Sequence, residues 1–114
     1  MSDCIFCKIV AGEIPCHKVY ESDTVLAFRD IDPQAPVHVL VVPKRHFATL
    51  NDLSSSEPGV MDGLYWASVQ IARELGVADS GYRTLVNCNE EGGQDVFHLH
   101  LHLLGGRRMS WPPG

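Results

Sequence analysis

The 114-residue chain is 45% hydrophobic and 20% charged, with a formal net charge of −5 when histidine is neutral, the balance of one globular domain spanning 1–114. No apolar run approaches the roughly 20 residues of a membrane span, and an acidic chain whose adjacent basic pairs are Lys44-Arg45 and Arg107-Arg108 offers no footprint for a nucleic-acid backbone. Met1-Ser2-Asp3-Cys4 lacks the basic and apolar regions of a secretory signal, so a cytoplasmic setting is expected, in which the four cysteines stay reduced.

Phe6 to Ala11 reads as a short helix closed by Gly12 and Pro15. Val19-Tyr20 and Thr24 to Phe28 read as strands joined at Glu21-Ser22-Asp23, and Asp30 to Pro36 as a proline-broken loop. The β-branched run Val37 to Val42 is a strand that stops at Pro43. Ser54-Ser55-Ser56-Glu57-Pro58 predicts a helix start with serine at the N-cap. Val60, Leu64, Ala67, Ile71 and Leu75 follow at helical spacing, and Gly76 stands where a C′ glycine ends a helix. Tyr82 to Val86 is another strand, Glu90 to Gly93 a loop, and Val96 to Leu104 the last strand, ended by Gly105-Gly106. Trp111-Pro112-Pro113-Gly114 forms an irregular tail. Most links are too short for parallel crossovers, so the expectation is an antiparallel α+β domain with one long and one short helix over one face.

The last strand carries the strongest chemical signal. Side chains alternate along a strand, so His98, His100 and His102 share one face while Leu99, Leu101 and Leu103 supply the core. A half-exposed strand has little structural use for three imidazoles, and three readings compete: a polar face, a metal site, or nucleophilic and acid–base work. A single ion shared by all three is strained, because the outer Cα atoms stand about 13 Å apart. Imidazole titrates near neutrality, so one ring can attack while another donates a proton. The preceding Gly92-Gly93-Gln94-Asp95 offers backbone donors, and the Gln94 amide, to a phosphoryl group.

The run His98-Leu99-His100-Leu101-His102-Leu103-Leu104 resembles the signature of the histidine triad (HIT) family, three histidines alternating with apolar residues. Phe28-Arg29-Asp30-Ile31, Pro33-Gln34-Ala35-Pro36, His38, Pro43-Lys44-Arg45-His46, Gly81-Tyr82-Arg83, Gly92-Gly93-Gln94, Gly105-Gly106-Arg107 and the terminal Trp111-Pro112-Pro113-Gly114 are similar to its Hint branch of purine-nucleotide phosphoramidases. The resemblance implies a five-stranded antiparallel sheet, continuous across a homodimer, and a two-step reaction on purine nucleotides. His100 would attack the α-phosphorus to give a nucleotidyl-histidine that water releases. His98 and His102 would position it or assist proton transfer, and His38 would join a relay with His102. Asn87, Gly93 and Gln94 would contact ribose-phosphate and phosphoryl oxygens, while Ile5, Phe6, Ile9, Phe28, Arg29, Asp30, Ile31 and Leu40 would hold the nucleoside. Asp30 would accept both ribose hydroxyls, and Trp111 would reach toward the partner's site. Without the resemblance, most of these apolar positions read as ordinary core.

Two positions depart from the branch. Asp95 stands where serine is common, and a carboxylate beside a phosphate repels it, so Asp95 is expected to offer its backbone N–H or to point away. Arg29 stands where histidine occurs, and would add a cation–π or stacking contact to a base. Cys4-Ile5-Phe6-Cys7 has metal-ligand spacing but supplies half a tetrahedral site. Family members with this pair complete a structural zinc site from His46 and His98, which would remove His98 from acid–base work. The resemblance implies chemistry that requires no metal. The bland alternative makes both cysteines small helix residues; a redox pair lacks the βαβ context. Cys16 and Cys88 read as core or incidental residues and His17 as surface. The rival functions are a non-catalytic nucleotide-binding regulatory partner, which would bind without turnover, and a metalloenzyme, which a chelator would silence.

Overall fold

The computed structural model describes residues 3–55 and 57–114. In chain order the elements are α1 (Ile5–Val10), β1 (Lys18–Glu21), β2 (Val25–Arg29), β3 (Val37–Pro43), a 3-10 turn (Leu50–Asp52), α2 (Gly59–Glu74), β4 (Tyr82–Leu85), α3 (Asn89–Gly92) and β5 (Leu101–Gly105). The strands form one antiparallel sheet in the order β1-β2-β3-β5-β4. Among the described residues no helix is long and apolar enough to cross a membrane.

Strand alternation divides the sheet into two faces. Val25, Ala27, Val39, Val41, Leu101 and Leu103 pack against Leu64, Ala67, Ile71 and Ala72 of α2. Burying each of the larger apolar side chains contributes about 1.5–3 kcal/mol. Ser68, buried in the same helix, donates its hydroxyl to the Leu64 carbonyl, so no polar group is stranded there. On the opposite face Leu26, Phe28, Leu40 and Val42 pack against Phe6 of α1. The helices therefore lie on both faces, not one: the sheet's second face is too apolar to leave open, and Phe6, Ile9 and Val10 cover part of it.

Several expected boundaries shift. The long helix begins at Gly59 with Pro58 at the N-cap and no side-chain cap bond. Ser54 and Ser55 lie outside it, and Ser56 lies outside the described residues. Its C-terminus is as expected: Gly76 takes φ 76°, and Val77 and Gly76 donate N–H bonds to Ala72 and Arg73, a Schellman closure. Glu90–Gly93 is not an open loop, because Asn89–Gly92 makes a helical turn that Gly93 ends at φ 81°. The last strand starts at Leu101, not Val96; the chain bends over 96–98, and Leu99 N–H bonds the Phe47 carbonyl rather than a sheet neighbour. The inward alternation of Leu99, Leu101 and Leu103 persists through this bend, which is why the sequence pattern reads as continuous strand.

Candidate active site

The register fixes the first two site residues. Leu40 pairs with His102 across β3 and β5, and His38 stands two residues before Leu40 on the same face. The His38 and His102 rings meet there with Nε2 and Nδ1 3.0 Å apart. The Gln34 N–H donates to His38 Nδ1 at 3.0 Å, so a neutral His38 carries its proton on Nε2 and donates it to His102. The neutral His102 then bears its proton on Nε2. That atom is buried and has no hydrogen-bond partner among the described residues. An orphaned buried donor costs about 1–3 kcal/mol, which marks it for something that binds there. Burial first, then the neighbouring His100 and His38 rings, holds His102 down to about 4, so it is neutral near pH 7. Burial also lowers His38, partly offset by Asp30, whose Oδ2 lies 3.5 Å from His38 Nε2.

His100 is fixed differently. Its Nδ1 lies 2.7 Å from the His98 carbonyl, which can only accept, so Nδ1–H is the donor and Nε2 keeps its lone pair. The ring is almost fully buried, braced edge-on by Phe6 at 5.1 Å between centroids and 4.9 Å from the His102 ring. Its Nε2 faces Asp95 Oδ1 at 3.9 Å. The Asp95 carboxylate, expected to turn away, is 82% exposed yet aims at the same nitrogen.

His98 belongs to a third setting. It is fully buried, and its Nε2–H donates to the Pro43 carbonyl at 2.8 Å, leaving Nδ1 as a bare lone pair. That Nδ1 lies 3.3 Å from Cys4 Sγ, 3.5 Å from Cys7 Sγ and 3.2 Å from His46 Nδ1, and Cys7 Sγ is 3.3 Å from His46 Nδ1. The four donors lie within 4.8 Å of one another and could hold a metal ion. Local structure builds this corner: Cys4 caps α1, its Sγ accepting the Cys7 N–H, which turns both sulfurs the same way. Burial and the Cys4 thiol push Cys7 up in the absence of a cation. Thus the three triad rings do not converge on one point. The groups with ligand-like spacing among the described residues are Cys4-Cys7-His46-His98 and Asp30-His38-His102.

A cavity of about 590 Å³ opens beside His100 and His102. Of the expected nucleoside residues, Ile5, Phe6, Ile9, Phe28, Arg29, Asp30, Ile31 and Leu40 line it, and so does Asp95. Asp30 Oδ1 also accepts the Asp32 N–H at 2.8 Å, so this carboxylate closes its own loop as well as facing the cavity. Ile14, Pro15, Cys16, His17, Asp32 and Val96 line it too and were not anticipated. All but Asp32 follow the short α1 or precede the histidine run, where no motif points to a ligand; Asp32 sits in the loop between β2 and β3, beside the motif residues Asp30 and Ile31.

Asn87, Gly93, Gln94 and Trp111 do not line the cavity. The Gln94 amide, expected on phosphoryl oxygens, is committed to the chain. Its Nε2 donates to the Ala48 and Val96 carbonyls at 2.8 and 3.0 Å, and its Oε1 accepts the Asn89 N–H at 2.9 Å. It pins α3 to the bend before His98, because a buried primary amide satisfies three backbone groups at once. Trp111 is 81% exposed, with the Arg83 guanidinium 5.9 Å from its ring centroid.

The chain resembles known proteins along nearly its whole length. A family model described as HIT domain matches residues 11–109. An uncharacterized HIT-like protein of Synechococcus elongatus is 49% identical over 112 residues, covering 98% of this chain and 97% of that protein. The purine nucleoside phosphoramidase of Escherichia coli K12 is 46% identical over 106 residues, covering 93% and 89%. The crystal structure of a HIT family hydrolase from Legionella pneumophila superposes with a TM-score of 0.96 at 49% identity, covering 98% of this chain and 100% of that one.

Proposed function

Since the chain belongs to the HIT domain family, we propose that it cleaves purine nucleoside phosphoramidates, or related nucleotides substituted at the α-phosphate, through a nucleotidyl-His100 intermediate. The observation that carries this reading is a pair of nitrogens. His100 Nε2 presents a lone pair, and the neighbouring His102 Nε2 presents a buried donor with no partner among the described residues. A nucleophile beside an orphaned donor suits a phosphoryl group, which takes attack at phosphorus and a hydrogen bond at oxygen.

In the first step the His100 Nε2 lone pair forms a bond to the α-phosphorus while the bond to the leaving amine breaks. An arriving phosphoryl anion favours a proton shared by His102 and His38, with the Asp30 carboxylate behind them. That proton goes to the leaving nitrogen. In the second step water attacks the same phosphorus, the histidine pair takes its proton, the bond to His100 breaks, and a nucleoside monophosphate departs. The apolar cavity walls take the base and Asp30 the ribose hydroxyls, as in other nucleotide sites.

The Cys4-Cys7-His46-His98 group fits zinc. Tetrahedral bonds of the usual zinc–sulfur and zinc–nitrogen lengths put ligand atoms about 3.3–3.8 Å apart; four of the six observed separations are 3.2–3.5 Å, and all lie within 4.8 Å. The Pro43 carbonyl fixes the His98 tautomer that leaves Nδ1 free, the usual outer support for such a ligand. Zinc held there would supply cross-linking, tying α1 to the segments after β3 and before β5, and no reaction step passes through it. The same reading makes the protein a cytoplasmic homodimer, with the edge strand β4 as the surface that would extend the sheet. Light scattering should then return twice the 12.6 kDa chain mass.

The test is stereochemical. Each in-line displacement inverts phosphorus, so two through His100 give net retention, whereas direct attack by water gives inversion. A chiral adenosine phosphoramidothioate cleaved in labelled water should yield retained configuration. Inversion, or binding without turnover, would overturn the reading.

A further inference from the structure

Asp95 lies between two cavities. The first is the one beside His100 and His102. The second, about 510 Å³, is lined by Asp3, His46, Phe97 and Cys4 and shares Ile5, Asp95 and Val96 with the first. A group leaving the α-phosphorus must depart away from His100 Nε2, and the second cavity adjoins the first at Asp95, the carboxylate that faces that nitrogen. Among the described residues neither lysine nor arginine lines it, and its own charges are the Asp3 and Asp95 carboxylates. A divalent cation on the two thiolates would leave the adjoining Cys4-Cys7-His46-His98 group with no net charge. Phe97, 50% exposed, gives the cavity an aromatic wall.

From this geometry we infer that the second cavity is the leaving-group subsite and that Asp95 selects amines carrying a further positive charge over anionic leaving groups. The inference rests on the proposed phosphoramidase reaction and adds the class of substrate. Asp95 repels the phosphoryl oxygens of every substrate alike, so that contribution cancels between substrates. What remains is its interaction with the leaving group's own charge: attraction for an ammonium, repulsion for a carboxylate or a further phosphate. At a few ångströms in a wet site these contributions are modest singly, but they act with opposite sign on the two leaving groups and so combine in the comparison.

Three adenosine monophosphate amides of nearly equal size test it: those of ethylenediamine (cationic), propylamine (neutral) and β-alanine (anionic). The wild type should rank them in that order by kcat/KM, with the first exceeding the last about tenfold at low salt, and the ratio should shrink as ionic strength rises. Asp95→Asn should collapse the ratio toward unity, and Asp95→Glu, which keeps the charge, should preserve the order. Because the side chain is 82% exposed, neither change disturbs a packed core. Turnover of all three at a ratio that Asp95→Asn leaves unchanged would overturn the inference while the reaction stands. Failure of the wild type to cleave any of them would overturn the reaction. The same comparison, read as dissociation constants on a His100→Asn protein that needs no turnover, then decides the inference by the same criterion.

Discussion

Two groups of imidazoles lie at one end of this sheet and are put to opposite uses. In the Cys4-Cys7-His46-His98 group the His98 ring is fully accounted for, Nε2–H on the Pro43 carbonyl and Nδ1 on the sulfurs. In the His38-His102 pair the hydrogen bonds run from the Gln34 N–H through both rings and end at a nitrogen with nothing to meet among the described residues. His98 and His102 stand four residues apart on the same alternation, yet one is closed and the other open. The distinction is set by which ring nitrogen the backbone takes, and a backbone carbonyl or N–H arriving from another segment decides that.

The comparison breaks most visibly at His100, between the two groups. His100→Ala should lower turnover of adenosine phosphoramidates by about 10⁴-fold or more, as loss of a nucleophile does. Nucleotide affinity measured calorimetrically should fall little, because the base and ribose walls lie elsewhere. On the open side, His102→Gln should cost about 10²-fold or more in kcat, the usual worth of acid–base assistance, and leave zinc content unchanged.

The closed side should respond in the opposite way. Elemental analysis should find roughly one zinc per chain in the wild type and none in a Cys4→Ser, Cys7→Ser protein. Metal present a hundredfold above its dissociation constant contributes about 2.7 kcal/mol, so Tm should fall by roughly 10 °C in a domain of this size. An unchanged Tm and no bound zinc would return both cysteines to ordinary helix residues.

Acid should separate the groups further. His102 is held at about 4, below its unfolded value, so between roughly pH 6.5 and 4 the unfolded chain binds a proton that the folded chain refuses. Its contribution to stability is therefore present above pH 6.5 and lost as pH falls through that window. Denaturant titrations from pH 7 to 4 should show a shallower loss in His102→Gln than in the wild type.

The smallest effect belongs to Asp30. If its carboxylate takes the ribose hydroxyls, 2′-deoxyadenosine monophosphate should bind about tenfold more weakly than the ribose form. Asp30→Ala should erase that difference. Equal binding of both sugars by the wild type would leave Asp30 with its observed bonds only, to Asp32 N–H and beside His38.

Much of this was legible in the residues. The alternation of Leu99, Leu101 and Leu103 locates the core face even where the strand has not begun, and the helical spacing from Val60 to Leu75 locates α2. That Phe6, Phe28 and Leu40 line a cavity was legible only through the family motif, since they are indistinguishable from core by type. The roles of the histidines were legible only as what the family resemblance implies, and their tautomers were not legible at all. They depend on the Pro43 and His98 carbonyls and the Gln34 N–H, and backbone groups are the same in every sequence. Gln94 was misread for the same reason: its partners, at Ala48, Asn89 and Val96, are all backbone.

The central claim is that His100 Nε2 is the open nucleophile and its neighbours are not. Rapid acid quench of the wild type with adenosine phosphoramidate, followed by peptide mass spectrometry, should find an adenylyl group on His100 alone. An adduct on His98, His102 or His38, or none during steady turnover, would contradict it.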